Sequence, residues 1–221
     1  MNINQIIEKH ALWLDTAGEE GSRANLTGAD LRGADLTDAN LTYANLTGAD
    51  LPLANLTGAY LTCADLTGAN LYSANLIRAN LTRAKLIGAK LTGANLYGAN
   101  LDSANLIRAN LTRANLDSAN LTGANLTGAK LYRAIGNLTH LKSIFCETYH
   151  VTYTAELMQI GCQRHKLEDW WNFDDASIIA MGGEEALNLW IIWKPILQQI
   201  IAASPATATG YVERDSVTKS G

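Results

Sequence analysis

From Ala24 to Arg133 the chain repeats every five residues, 22 times in succession, without one insertion. Each unit opens with Ala and carries Leu at its third position, from Ala24 and Leu26 to Ala129 and Leu131. A period of five fits neither an α-helix, whose faces recur about every 3.6 residues, nor a flat strand, whose faces alternate. It fits a solenoid in which short units stack on their neighbours. Ala and Leu stand two apart, so in extended chain they share a side. Each unit therefore sends one small and one large apolar side chain inward and then turns a corner.

The residue between them is Asn or Asp, except at Tyr60, Lys85, Lys90 and Lys130. The position after Leu is mostly Thr, which suits an exposed strand. The fifth is often Gly, which suits a corner with unusual backbone angles. One leucine per unit is too little burial to offset the ordering of the whole unit. Backbone hydrogen bonds between coils must therefore hold the array together.

These A(N/D)LXX units resemble the pentapeptide-repeat family. The resemblance implies a right-handed quadrilateral parallel β-helix with four units per coil. The array would then make five and a half coils, a rod roughly 26 Å long at about 4.8 Å per coil. The expected fold is mainly β. Residues 1–21 form an N-terminal capping helix, 22–134 the β-helix, 135–203 an α+β C-terminal extension, and 204–221 a disordered tail.

The N-terminal helix is read over residues 2–17. Ile3, Ile6, Ile7, His10, Trp13 and Leu14 make one face, Asn2 with Gln5 resembles a capping box, and Gly18 and Gly21 stop it. Its place is over the open coil end, which would otherwise expose leucines and unpaired backbone. Beyond the repeat, Ser143–Gly161 reads as two or three short strands, continuing the sheet past the last coil. Leu167–Phe173 and Asp174–Met181 read as short helices, with Asp174 or Asp175 as a cap. Gly182-Gly183 breaks them, and a longer helix follows from Glu184 to Ala203, kinked at Pro195. Its stripe of Leu189, Trp190, Trp193, Ile196, Leu197, Ile200 and Ile201 either caps the rod or joins two chains. From Tyr149 to Ile201 the segment resembles an extension on some bacterial and phage pentapeptide-repeat proteins, through IGCQRH, EDWWNF and the Trp-rich helix. That resemblance carries no function.

Stacking places residues one coil apart on one face. The outward apolar residues that interrupt the Thr and Gly background are the candidate interaction surface: Tyr43, Leu53, Tyr60, Ile87 and Ile107. Simple stacking between coils is the alternative account of them. Charge is uneven along the rod. Ala24–Ile77 holds five acids against Arg32, and Arg78–Ala134 holds eight bases against Asp102 and Asp117. The basic corners Arg78, Arg83, Arg108 and Arg113 fall on four different faces, which argues against a nucleic-acid partner.

Cys146, His150, Cys162 and His165 are a candidate zinc set of atypical spacing, with a buried thiol pair and structural histidines as the alternative. The nucleophile-elbow, phosphate-loop, dinucleotide and zinc-protease motifs are all missing from the chain. The reading is therefore a non-enzymatic structural or protein-interaction module with an unidentified protein partner. It needs no cofactor and no small-molecule substrate, and it is a monomer or homodimer. Two alternatives stand beside it: a dimeric scaffold through the C-terminal helix, and a DNA mimic protecting gyrase or topoisomerase. The rod's nine bases against seven acids over residues 24–134 argue against mimicry. Three cysteines without an export signal point to the cytoplasm, and the chain has no membrane-spanning run.

Overall fold

The computed structural model describes residues 2–137, 139–146 and 149–209. Four units make one coil: parallel bridges join residues twenty apart, from Asn25 with Asn45 to Asn115 with Ile135. The Leu and Ala columns fill the interior and are almost completely buried from Leu41 to Leu121. In each unit two residues are spent on the turn, so each wall of the rod keeps one bridged residue and no continuous strand. The rod is a β-helix by its pairing, but among the described residues regular strands occur only in the C-terminal extension.

The N–H groups of one unit account for what holds it. Asn45 donates to Ala24 O at 2.9 Å in the coil before, and Leu46 and Gly48 donate to Asp65 O and Thr67 O at 2.7 and 2.9 Å in the coil after. Ala44 donates to Leu41 O at 3.0 Å and closes the corner. That leaves the Thr47 N–H, which the Asn45 side chain accepts at 3.0 Å. The same Asx bond recurs along the rod, for example Asn75 to Ile77 and Asn115 to Asp117. This is the chemical reason for Asn and Asp before each Leu. Pro52 stands at this donor position in its unit and has no N–H to satisfy. Asp50 is thereby freed to meet Arg32 at 2.9 Å and Asn70 at 2.6 Å. The Arg32 guanidinium, with Asn70, holds the Asp50 carboxyl below its usual range.

Every fifth position has a positive φ, whether it is Gly28 at 62°, Leu53 at 61° or Arg113 at 59°. The preceding residue does not, so the corner from Leu to the next Ala is a type II turn. Glycine meets that geometry without strain, whereas other residues pay about 1–2 kcal/mol.

Helix α1 (Ile3–Asp15) covers the first coil. Ile3, Ile6 and Ile7 pack on the leucine core, and His10 is completely buried. Asn2 Oδ1 accepts from Gln5 N–H at 3.4 Å. His10 Nδ1 accepts from the Ala24 N–H at 3.1 Å, so the ring ties the helix to the first unit. Burial lowers the pKa of His10, the Thr42 backbone opposes that shift, and Arg23 adds to it. At Gly21, φ is 73° and a Cβ would stand 2.2 Å from Lys9 O, so the chain can enter the rod here only through glycine.

The other end is closed by an antiparallel meander: β1 (Lys142–Cys146), β2 (Tyr149–Tyr153), β3 (Leu157–Ile160) and β4 (Gln163–Lys166), in that order. It does not continue the rod's walls as expected; its four strands pair only with one another among the described residues. Thr152, Gln159 and Arg164 lie in one transverse row. Each meets the last coil: Gln159 Oε1 accepts from Leu131 N–H at 3.2 Å, Thr152 Oγ1 donates to Leu131 O at 3.3 Å, and Arg164 donates to Ala129 O. Asn137 adds a bond to Ala119 O at 3.0 Å. The opposite sheet face, with Val151, Tyr153 and Met158, packs on α2 (Leu167–Asn172) and α3 (Asp175–Ala203) through Trp170, Ile178, Trp190, Leu197 and Ile201.

Asp174 caps α3 by accepting from Ser177 N–H at 2.8 Å. The helix breaks at Gly182 and Gly183, where φ is −160° and 75°; Pro195 lies inside its second half, where the angles stay helical. The first part of the tail expected to be disordered is held in place. Thr207 N–H donates to Thr139 O at 2.8 Å, and Gly123 N–H donates to Thr209 O. The physical reason is the open coil: Gly123 has no following coil to donate to, and the tail supplies the carbonyl. Residues 210–221 of that tail lie outside the described residues.

Replacing Asn75 by Ala removes the acceptor of the Ile77 N–H. The expected loss is about 1 kcal/mol, read as a lower denaturation midpoint with an unchanged circular dichroism spectrum. A second outcome concerns pH. The folded state holds His10 neutral, so its contribution is complete above the ordinary value of 6.5 and is lost as pH falls toward the lowered folded value. The melting temperature of the native chain should therefore fall between about pH 7.5 and about pH 5 more steeply than that of His10→Asn, which keeps an acceptor but cannot titrate.

Candidate interaction surface

Because units twenty residues apart stack, the rod has four walls. The first carries units 24–28, 44–48 and so on; the second starts at 29, the third at 34 and the fourth at 39. The five residues expected to form an interaction surface do not share a wall. Ile87 and Ile107 stack on the first, Leu53 stands on the second, and Tyr43 and Tyr60 stand on the fourth, opposite Leu53. Ile87 and Ile107 are half-buried, each covering the other between coils. Tyr43, Leu53 and Tyr60 are exposed.

Leu53 and Tyr60 each stand where local chemistry favours another residue. Leu53 is 64% exposed at a left-handed corner that suits glycine. Tyr60 is 52% exposed and bridges Asn40 and Asn80 in the Asx column, where its phenol cannot replace the carbonyl acceptor that those neighbours give to Thr42 and Thr82. Tyr72, also exposed, was not singled out from the sequence. It accepts from the Leu53 N–H at 2.9 Å through its backbone, which puts Pro52, Leu53 and Tyr72 side by side on the second wall. The signal for it was available: aromatic residues at a position otherwise mostly Thr.

The charged positions are also sorted by wall. Arg78, Arg83, Arg108 and Arg113 stand at four different corners, as expected. In the later coils the second wall nevertheless holds Lys90, Arg113, Lys130 and Arg133 without an acid. Arg133 lies over the Tyr132 ring at 5.2 Å. On the first wall Lys85 meets Asp65 at 3.4 Å.

The extension contributes a further apolar surface. Ile191 and Ile192 are 60% and 58% exposed, and Ile196 joins them on the outward side of α3. The expected stripe of this helix is thus divided: Trp190, Leu197 and Ile201 are buried on the sheet, and Ile196 faces outward. The row of Thr152, Gln159 and Arg164 on the sheet, rather than the helix, closes the rod.

Of the candidate zinc set, Cys162 is exposed at the turn between β3 and β4. His165 pairs with Met158 in the register, and its ring packs edge-on against Trp170 and Phe173 at 5.2 and 4.9 Å. The side chains of Cys146 and His150 lie outside the described residues. Among the described residues, no three His, Cys, Asp or Glu side chains are placed to hold a metal ion. No helix among them is long and apolar enough to cross a membrane.

Against known proteins, a family model described as pentapeptide repeats matches residues 22–58, 59–98 and 94–133, in eight copies. Solved structures with similarity include the pentapeptide repeat protein Rfr23 of the cyanobacterium Cyanothece, 31% identical over 59% of this chain and 97% of that one, with a TM-score of 0.48. A pentapeptide repeat protein of the Arabidopsis thaliana thylakoid lumen is 32% identical over 46% of this chain and 68% of its own, with a TM-score of 0.36. HetL of Nostoc, described as involved in heterocyst differentiation regulation, is 37% identical over 52% of this chain and 65% of its own, with a TM-score of 0.26. No curated protein matches the chain.

Proposed function

Since the chain belongs to the pentapeptide-repeat family, whose fold is a right-handed parallel β-helix, we propose that it is a non-catalytic module that binds a protein partner along the walls of its rod. One observation carries the reading: Leu53 and Tyr60, both more than half exposed, occupy positions where the fold's own chemistry favours Gly and Asn. Local rules broken without a structural gain mark functional positions. The unpaired thiols Cys63 and Cys162 fit a reducing, cytoplasmic setting. Mimicry of DNA toward gyrase or topoisomerase is disfavoured by the slightly basic rod.

The test separates stability from binding. Leu53→Gly relieves a left-handed residue, and Tyr60→Asn restores an Asx acceptor. Each should raise the unfolding free energy by about 1 kcal/mol, read as a higher denaturation midpoint. Each should also weaken capture of the partner that the native chain recovers reproducibly from source cells. Equal capture by the native chain and both variants rejects the reading, and so does the absence of any reproducible partner.

A second reading is favoured by Ile191, Ile192 and Ile196: a homodimer through α3. Lys194 is the one charged residue between 186 and 203, so this face has no charge pattern to repel its own copy. Light scattering should give twice the chain mass for the native protein and the single mass for Ile191→Lys with Ile192→Lys, with the helical signal retained. A native protein that stays at one chain mass as concentration rises rules the dimer out.

A further inference from the structure

Four basic residues of the second wall stand where the coil's own chemistry favours something else. Lys90 and Lys130 occupy the Asx column, with Asn110 bridged between them. Asn110 accepts the Thr112 N–H at 3.1 Å, and an ammonium has no lone pair with which to do the same for Thr92 or Tyr132. Arg113 and Arg133 occupy left-handed corners, with φ of 59° and 55°. Lys85 breaks the same Asx rule on the first wall, but there Asp65 at 3.4 Å accounts for it. The other corner arginines, Arg78, Arg83 and Arg108, are spread over the other three walls.

Lys90, Arg113, Lys130 and Arg133 are exposed, and no ion pair joins them to an acid among the described residues. The acids of this wall, Asp30 and Asp50, lie in the first two coils beside Arg32, which meets Asp50 at 2.9 Å. Lys90 and Lys130 are two coils apart, about 10 Å at about 4.8 Å per coil. Like charges gathered in this way repel one another, and a carboxylate set among them relieves the repulsion. Arginine forks suit carboxylates in particular. Toward α1 the same wall turns apolar, at Tyr72, Leu53 and Pro52. From Leu53 to Arg133 the strip runs about 19 Å, the length of about six extended residues. A nucleic acid would carry its phosphates past Lys90 onto Leu53 and Pro52, which offer neither charge nor a flat ring, on a chain whose net charge is −4.

We propose that the basic half of the second wall docks an acidic segment of the protein partner, with an apolar side chain of that segment seated on Leu53 and Tyr72. This rests on the reading that the rod binds a protein.

The probe is a fluorescein-labelled heptapeptide of leucine, tryptophan, glycine and four glutamates, read by anisotropy on the full chain at low salt. It should bind saturably and at least about tenfold more tightly than its glutamine counterpart, and more tightly than an oligothymidylate of equal charge. Lys90→Asn with Lys130→Asn restores two Asx acceptors, so the chain should gain thermal stability while its affinity for the peptide falls about fivefold. Arg78→Gly, which removes one charge from a corner of the third wall, should leave the affinity unchanged. Four results overturn the proposal: no saturable binding, equal affinity for the glutamate and glutamine peptides, tighter binding of the oligothymidylate, or native affinity in the folded Asn variant. A partner captured from source cells equally by the native chain and the Asn variant, yet lost by Leu53→Gly, also overturns it while leaving the protein-binding reading in place.

Discussion

The rod depends on backbone hydrogen bonds that leave one coil and end on the next. Leu46 donates forward to Asp65 O, while Asn45 donates back to Ala24 O, and every interior unit does the same. An interior coil is therefore satisfied by its neighbours, and a terminal coil cannot be. The two appendages follow from this. At one end α1 lays Ile3, Ile6 and Ile7 on the leucines and brings His10 to the Ala24 N–H. At the other, the row of Thr152, Gln159 and Arg164 supplies the donors and acceptors that a further coil would have given, and Thr209 supplies one more.

The same pairing limits where specificity can be written. The first and third positions of a unit are filled by the core. The second must accept the one N–H that no backbone carbonyl reaches, and the fifth must bear a positive φ. Only the fourth is free, and there Thr gives way to Arg32, Tyr72, Ile87 or Tyr97 without cost to the coil. A side chain such as Tyr60 or Leu53, placed at the second or fifth position, carries a local penalty. Its presence there is informative in a way that Ile87 is not, because Ile87 and Ile107 are explained by covering each other.

Much of this was legible in the sequence. An unbroken period of five with constant Ala and Leu leaves few alternatives to a stacked solenoid, and Asn2, His10 and Gly21 already marked a capping helix. The reason for Asn and Asp at the second position was not legible. It appears only once each of the unit's donors has been followed to its acceptor, and Thr47 is the one left over. The meander was harder still. Its strands were visible as β-branched runs, but their role rests on Thr152, Gln159 and Arg164 falling in one row. That row depends on pairing register between β2, β3 and β4. The non-helical angles of α3 fall at Gly182 and Gly183, about two turns before the buried Trp190.

The two ends are closed by different chemistry, yet each holds an imidazole that burial keeps neutral. At the C-terminal end the groups that meet the last coil are amides, a hydroxyl and a guanidinium, but the imidazole of His140, whose pKa burial also lowers, stands 3.1 Å from the Asn137 amide that bonds Ala119 O. At the N-terminal end the closing group is an imidazole that must stay neutral to accept from Ala24. Protonation removes the acceptor and puts a charge where His10 is completely buried. In a one-dimensional array each coil is stabilised by the next, so loosening the first coil weakens the second before it reaches the third. Mild acid should therefore loosen this rod from its two ends, where His10 and His140 stand, before it reaches the interior coils.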